Sequence, residues 1–205
     1  MQYGCIGEHL THSFSKIIHG ELTDYLYELR EIPMGELDQF MTARDFKAIN
    51  VTMPYKQDVI PHLKEVEPMA AIVNRGGDLY GYNTDFDGMA ALIARTGIDM
   101  TGKKVLILGT GGTSNTAMAV AKHLGAAQVY KVSRSAKAGV LTYDEVKAHH
   151  LDAQVLMNTT PRGMFAQEKG MSIDPALFPQ LEGAVDAVYN PLRTEFILAA
   201  RKQGV

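Results

Sequence analysis

A lysine and an aspartate each follow a segment that reads as a β-strand, and together they could transfer a proton. Lys56 comes after the apolar run Ala48–Thr52, and Asp85 comes after Leu79–Tyr82. A carboxylate beside an ammonium group fixes its position, and partial burial tunes its pKa for acid–base catalysis. Each residue also has a simpler explanation when taken singly. Lys56 fits a solvated lysine on a helix beginning at Pro54, and Asp85 fits a helix N-cap.

Two serines spaced by one residue lie ahead of another predicted helix. Ser13 and Ser15 could hold a small carboxylate between their hydroxyl groups. Either serine could equally be the N-cap of that helix, which on these residues alone is the better explanation.

A glycine-rich turn lies between an apolar strand and a helix. The strand is Val105–Leu108, and the turn reads Gly109-Thr110-Gly111-Gly112-Thr113-Ser114. Gly109 permits a tight turn, Gly111 allows the backbone to approach a pyrophosphate, and the following helix presents free amides. Ser114 replaces the third glycine of the usual pattern but is small enough for close helix–strand packing. The context predicts a dinucleotide site rather than a purely structural turn.

The end of the next predicted strand, Gln128–Val132, indicates which dinucleotide binds. An NAD site usually has an acidic residue here, for the ribose 2′-hydroxyl. This chain has Ser133-Arg134-Ser135 instead. Arg134 could pair with a 2′-phosphate while the serines donate hydrogen bonds, although a solvated loop arginine is the alternative. Together with the glycine turn, this segment predicts NADP.

The elements that position these residues alternate between strands and helices, which is typical of α/β architecture with mainly parallel sheets. A hairpin is predicted from Ala71 to Tyr82, with its turn at Arg75-Gly76-Gly77. The best domain boundary in this pattern lies near residue 100, with the preceding helix as the connector.

Composition narrows the function classes. The net charge of −3 gives no basic surface for nucleic acid, and no apolar run is long enough for a membrane span. The start has no secretory signal pattern, so a cytoplasmic location is expected. The single cysteine, Cys5, is predicted to be a buried structural thiol. No metal site is predicted. No motif addresses oligomeric state, so a homo-oligomer stays open.

Six motifs in the same order resemble those of the shikimate dehydrogenases, over essentially the whole chain. They are Ser13-x-Ser15, Asn50-Val51-Thr52-x-Pro54-x-Lys56, Asn83-Thr84-Asp85-x-x-Gly88, the Gly109 turn, Asn158-Thr159-Thr160-Pro161-x-Gly163-Met164 and Tyr189-Asn190-Pro191. The resemblance implies an open α/β substrate-binding and catalytic domain at 1–85 and a connecting helix at 86–100. It implies a Rossmann-like, doubly wound NADP-binding domain at 101–190, and a shortened C-terminal helix at 191–205 that returns toward the first domain. It also implies NADPH-dependent reduction of 3-dehydroshikimate, a small-molecule substrate, to shikimate in aromatic amino-acid biosynthesis.

The resemblance implies roles for individual residues. Lys56 would be the catalytic acid–base and Asp85 its partner, and both would hold substrate hydroxyls. Ser13 and Ser15 would bind the substrate carboxylate, with Thr52 and Tyr189 nearby. The remaining residues would bind the cofactor: Gly109, Thr110, Gly111, Gly112 and Thr113 at the pyrophosphate, Ser133, Arg134 and Ser135 at the 2′-phosphate, and Met164 at the nicotinamide.

The chain departs from the family pattern in two places. An Ile-Gly-Ala-Val-Asn-Thr segment, whose asparagine is a substrate ligand in the family, is missing before Ile72. A Gly-Leu-x-Met-Leu-Val-x-Gln-Ala stretch and a closing helix are missing after Val205. Their loss is expected to expose apolar surface and loosen the hinge between domains. Two alternatives stay open: a quinate/shikimate dehydrogenase with relaxed cofactor use or, because family segments are missing, a catalytically weak protein that binds shikimate and NADP.

Overall fold

The computed structural model of the chain describes residues 1–10, 13–52, 54–64, 71–166 and 169–205. Chain contacts divide it into two compact units, Met1–Asp85 and Phe86–Val205. Within the described ranges, no helix combines the length and apolar character needed to cross a bilayer. The functional roles expected for segments 1–85, 86–100, 101–190 and 191–205 stay predictions.

The first unit contains a mixed five-stranded sheet in the order β2-β1-β3-β4-β5. The first three strands are parallel, and β4 and β5 are antiparallel additions. The elements of this unit are β1 (Tyr3–Gly7), α1 (Ser15–Leu22), β2 (Tyr27–Glu31), α2 (Leu37–Ala43), β3 (Ala48–Val51), β4 (Ala71–Arg75) and β5 (Asp78–Tyr82), with short 3₁₀ helices at Met34–Glu36 and Ile60–His62. The predicted hairpin is confirmed as β4 and β5.

One face of this sheet carries the main core of the first unit. Alternate strand residues such as Ile6, Ile49 and Ile72 pack with Met41 of α2 and with Tyr55, because side chains alternate between the two faces of a sheet. The other face carries a smaller cluster around Cys5, Tyr27 and Leu10, together with α1. Burial raises the pKa of the Cys5 thiol to about 11, and the prediction of a buried structural cysteine is confirmed.

The predicted helix from Pro54 is wrong. Residues 54–59 form successive turns that lead into the 3₁₀ helix Ile60–His62. Tyr55 is fully buried, and its hydroxyl donates a hydrogen bond to the Ile32 carbonyl. This tertiary anchor fixes the segment directly after β3, where a continuous α-helix had been expected from local pattern alone.

The second unit contains an all-parallel sheet in the order β10-β9-β6-β7-β8. Its elements are α3 (Thr84–Thr96), β6 (Lys104–Leu108), α4 (Gly112–His123), β7 (Gln128–Ser133), β8 (Leu141–Thr142), α5 (Tyr143–His149), β9 (Val155–Asn158), β10 (Gly183–Asp186) and α6 (Glu195–Arg201), with a 3₁₀ helix at Pro175–Leu177. The first two residues of α3 still belong to the first unit. Both apolar clusters of the second unit contain buried side chains from β6 and β9. The short strand β8 was not predicted.

The order of the strands places a switch point beside β6. After β6 the chain adds β7 and β8 on one side, and it then returns to add β9 and β10 on the other. In doubly wound sheets, ligands bind outside the carboxyl ends of the strands at such a point. The C-terminal helix α6 packs within this second unit, where Phe196 and Ala200 are buried.

Candidate active site and cofactor loop

Lys56 and Asp85 meet in the first unit. The Lys56 ammonium forms a short ion pair with Asp85 Oδ2, although the two residues are 29 positions apart in sequence. The topology explains this meeting. β3 and β5 run in the same direction, because each is antiparallel to β4 between them. Lys56 and Asp85 both follow the carboxyl ends of these strands and therefore reach the same edge of the sheet.

The pair is partly shielded but open to a ligand. The Lys56 side chain is 31% exposed and that of Asp85 47%. Tyr55 anchors the turn that carries Lys56, and Asp85 lies in the first turn of α3. A partly exposed ammonium held by a carboxylate can bind a polar substrate and exchange a proton with it.

Ser13 and Ser15 lie at the start of α1, which follows β1 toward the same edge. The Ser15 amide donates to Ser13 Oγ over 3.3 Å. The position preceding the helix is Phe14, and no side chain caps it, so neither serine is the N-cap. Thr52 directly follows β3, and its amide donates to the Ile6 carbonyl over 3.0 Å. His12, which precedes Ser13, and Met53, which separates Thr52 from Pro54, lie outside the described residues.

The glycine turn lies between β6 and α4 at the switch point of the second unit. Gly109 has φ +120°, a conformation that favours glycine. Gly111 and Gly112 are exposed, and no atom lies within 4 Å of where a Cβ would stand on either. Gly111 is the N-cap of α4 and offers no side chain to its amides. These open amides at a helix N-terminus fit a phosphate group.

Ser114 confirms the expected helix–strand packing. It is fully buried, and its hydroxyl donates to the Gly111 carbonyl over 2.6 Å. The small side chain therefore allows α4 to pack closely on the sheet at the position where the usual pattern has glycine.

The segment after β7 carries two cations, Arg134 and Lys137, and Lys137 reaches the glycine turn. Arg134 is exposed directly after the strand, and the Ser135 amide donates to Ser133 Oγ over 3.2 Å. Lys137 Nζ lies 3.5 Å from Thr110 Oγ1. Lys137 was not singled out from the sequence, because its contact with Thr110 depends on tertiary structure. One cation beside this turn and a second, exposed cation after the same strand fit a cofactor with an additional phosphate.

Known proteins are similar in sequence to this chain over both of its units. A family model described as the shikimate dehydrogenase substrate binding domain matches residues 5–74. The shikimate dehydrogenase (NADP(+)) of Halothermothrix orenii is 32% identical, with 98% of this chain and 82% of that protein covered. The chain belongs to the shikimate dehydrogenase family. The shikimate dehydrogenase (NADP(+)) of Clostridium beijerinckii is 29% identical, over 95% of this chain and 80% of that protein.

Solved structures of shikimate dehydrogenases share the fold. A chorismate mutase/shikimate 5-dehydrogenase fusion protein from Clostridium acetobutylicum matches with a TM-score of 0.88 and 29% identity, over 99% of this chain and 82% of that one. Shikimate 5-dehydrogenase from Thermus thermophilus, solved with NADP(H) and shikimate, matches with a TM-score of 0.84 at 24% identity, over 100% of this chain and 85% of that one. The second likeness shows the fold alone.

This shikimate dehydrogenase family member is shorter than its relatives within the aligned region. The alignment with the Halothermothrix orenii protein spans 237 residues, whereas this chain has 205. The relative therefore has residues inside the aligned span that this chain lacks. The junction before Ile72, where a family segment was expected to be missing, includes residues 65–70, which lie outside the described residues.

A polar network in this family member joins the two loops that carry Met164 and Tyr189. Asp186 Oδ1, at the end of β10, accepts from Asn158 Nδ2 over 2.9 Å and from the Val188 amide over 3.0 Å. Its other oxygen accepts from Thr194 Oγ1 over 2.5 Å. Burial raises the pKa of Asp186, and these hydrogen bonds act in the opposite direction. Sequence reasoning missed Asp186, because nothing in the strand pattern marks a buried acceptor.

Gly109→Ala is expected to lower the free energy of unfolding by about 2–4 kcal/mol, because the positive φ is strained for alanine and the core is already packed. The new Cβ would lie 2.8 Å from Thr159 Oγ1. Urea denaturation measures the change. The control is Gly88→Ala inside α3, where the Cβ would meet nothing within 4 Å, and there a gain of about 0.5–1 kcal/mol is expected. A Gly109→Ala protein as stable as the original would contradict the strain at this turn.

Proposed function

We propose that this chain catalyses the NADP-dependent, reversible reduction of 3-dehydroshikimate to shikimate in aromatic amino-acid biosynthesis. The ion pair between Lys56 and Asp85 is the single observation that carries the proposal. It supplies a proton donor held at the edge of the substrate-binding unit. The relatives named shikimate dehydrogenase (NADP(+)) supply the reaction class. We place the reaction in the cytoplasm as part of the same proposal.

Lys56 supplies the proton in this mechanism. Its Nζ donates a proton to the substrate carbonyl oxygen as that oxygen becomes a hydroxyl, and it recovers the proton in the reverse direction. Asp85 accepts a hydrogen bond from the same ammonium, which fixes its direction and favours its charged form. NADPH, when bound, supplies the hydride.

We assign the remaining substrate contacts to hydroxyl groups that follow β1 and β3. Ser13 and Ser15 bind the substrate carboxylate through their hydroxyls, and Thr52 contributes a third hydroxyl at the end of β3. Hydrogen bonds to a charged group contribute about 1.5–3 kcal/mol each, so these contacts hold the substrate in one orientation. Tyr189, which is 65% exposed, completes the proposed substrate set.

The cofactor is held by residues of the second unit. The amides of the glycine turn, from Gly109 to Thr113, bind the pyrophosphate. Arg134 binds the 2′-phosphate with Ser133 and Ser135, and Lys137 adds a second positive charge close to Thr110. Met164 packs at the nicotinamide end. The proposal is tested by steady-state NADP⁺ reduction with shikimate, which is expected to depend on both compounds.

A further inference from the structure

Asp186 connects two buried polar residues at the end of β10. Asn158 is 2% exposed and Thr194 is 1% exposed. Asn158 Nδ2 and the Val188 amide both donate to Asp186 Oδ1, and the Thr194 hydroxyl donates to Oδ2. Amide nitrogens donate and do not accept, so Oδ1 is an acceptor for two partners at once. Removing the carboxylate would leave buried donors without a partner, which native proteins rarely tolerate.

Asn158 transmits this constraint to the loop that leads to Met164. Because Asp186 accepts from Nδ2, the amide oxygen of Asn158 faces the other way, where it accepts from the Thr160 amide over 3.2 Å and from the Thr160 hydroxyl over 2.6 Å. Nδ2 also donates to the Arg162 carbonyl over 3.3 Å. One amide group therefore holds the loop at two points, and Asp186 fixes which way that amide is turned.

Two further contacts join this loop to the segment after β10. A Cβ on Gly163 would lie 3.3 Å from Thr194 Cβ, so the loop backbone passes close to the threonine that Asp186 holds. The Phe165 amide donates to the Asn190 carbonyl over 2.8 Å. The loop after β9 and the segment after β10 are therefore fixed to each other at their main chains as well as through the carboxylate.

These contacts bring Met164 and Tyr189 together, because each directly precedes one end of that backbone hydrogen bond. We propose that Asp186 is a positioning residue, which fixes the distance between Met164 at the nicotinamide and Tyr189 at the substrate. The inference rests on the proposed function, in which those two residues have these roles. Asp186 itself contacts neither cofactor nor substrate in this account, and it acts through Asn158 on one loop and Val188 on the other.

The distance matters because hydride transfer needs its donor and acceptor carbons in a near-attack arrangement. A displacement of about 1 Å costs on the order of a hundredfold in rate. The phosphates of the cofactor, which contribute much of its binding, are held by the glycine turn and Arg134 in the proposed mode of binding. Loss of Asp186 is therefore expected to slow the reaction without weakening the binding of NADP⁺.

The test removes the carboxylate and measures rate and binding separately. Steady-state kinetics gives kcat for shikimate oxidation, and titration calorimetry gives the Kd and the stoichiometry of NADP⁺ binding, for the original chain and for Asp186→Ala. The variant is expected to lose about 10–100-fold in kcat, while its Kd for NADP⁺ stays within about twofold at an unchanged stoichiometry. A merely structural role would instead lower the stoichiometry in step with kcat, since only the folded fraction would bind and react.

Asp186→Asn is the conservative variant. Its side-chain oxygen keeps the hydrogen bonds from Asn158 and Val188, and its amide can donate to Thr194 Oγ1, because a hydroxyl accepts as well as donates. It is expected to keep kcat within about threefold of the original, a change smaller than the loss of one hydrogen bond. Recovery in this variant assigns the effect to the hydrogen bonds and not to the negative charge.

Asp174→Ala is the matched control. Asp174 is another aspartate of the second unit that accepts from a backbone amide, that of Ala176 over 2.9 Å, at the start of the 3₁₀ helix Pro175–Leu177. It lies outside the two joined loops, so its removal is expected to leave kcat within about twofold. Where Asp186→Ala does not fold, Thr194→Val takes its place. It keeps the side-chain shape and removes the hydrogen bond to Oδ2, and it is expected to lower kcat about fivefold at an unchanged Kd for NADP⁺.

The outcomes separate this inference from the proposed function. A fall in kcat at unchanged Kd and stoichiometry in Asp186→Ala, or in Thr194→Val where that variant replaces it, supports the inference when Asp186→Asn recovers the rate. An unchanged kcat, NADP⁺ binding that weakens or loses stoichiometry in step with kcat, or an Asp186→Asn protein as slow as the first variant overturns it. The proposed function then stands as long as the original chain oxidises shikimate, and an original chain that oxidises none overturns both.

Discussion

Lys56→Ala is expected to lower kcat for shikimate oxidation by about 10²–10⁴-fold, because the reaction loses its proton donor and acceptor. The KM for shikimate is expected to rise as well, since the same ammonium binds a substrate hydroxyl in the proposed mechanism. The KM for NADP⁺ is expected to stay within about twofold, because Lys56 is not among the residues proposed to bind the cofactor. Steady-state kinetics with each compound varied in turn separates the three effects.

The structure offers a close control for this variant. Lys64 and Asp78 also form a lysine–aspartate ion pair in the first unit, with Nζ and Oδ2 2.6 Å apart and both side chains about half exposed. Lys64→Ala removes the same kind of charge and is expected to leave kcat within about twofold, as exposed ion pairs contribute little. A Lys56→Ala protein that keeps a tenth or more of the original kcat, or equal losses in both variants, would contradict the assignment of Lys56.

Arg134→Ala is expected to raise the KM for NADP⁺ by about 10–100-fold, the loss expected for a charge-assisted contact to a phosphate. The KM for NAD⁺, which lacks the 2′-phosphate, is expected to change by less than about threefold. Selectivity for NADP⁺ over NAD⁺ therefore falls by about the same factor as NADP⁺ binding. Lys137 stays beside Thr110 in this variant, so part of the preference for NADP⁺ is expected to remain.

Four kinetic measurements decide this point: NADP⁺ and NAD⁺, each with the original chain and with Arg134→Ala. Arg201→Ala, which removes an exposed arginine at the end of α6, controls for the loss of positive charge. If the original chain prefers NAD⁺, or if Arg134→Ala weakens NAD⁺ and NADP⁺ equally, the role of Arg134 at a 2′-phosphate is wrong. Comparing shikimate with quinate in the same assay addresses the alternative substrate.

The cofactor half could be predicted closely from sequence. An apolar strand, a glycine turn and a helix are local features, and β6, the turn and α4 lie where the pattern placed them. The position of Arg134, directly after the next strand, could also be predicted. Lys137 and Asp186 could not be assigned with the same reasoning. Their importance comes from contacts with Thr110 and with Asn158 and Thr194, which depend on the order of strands in the sheet.

The substrate half depends more on tertiary structure. Lys56 and Asp85 were predicted as candidates, but their meeting requires that β4 run antiparallel between β3 and β5. The predicted helix at Pro54 failed because burial of Tyr55 outweighed local helical preference. The hydrogen bond from the Tyr27 hydroxyl to Asn50 Oδ1 joins β2 and β3. No pattern of period or spacing marks such a contact in the sequence.

The most direct test of the central claim is the rate of NADPH formation by the purified chain with shikimate and NADP⁺, with Lys56→Ala measured beside it. We expect shikimate-dependent reduction of NADP⁺ that is faster than reduction of NAD⁺ and that falls by at least about a hundredfold in the variant. Tight shikimate binding without NADPH formation, or a rate that Lys56→Ala leaves unchanged, would contradict the claim that the Lys56–Asp85 pair makes this chain a working dehydrogenase.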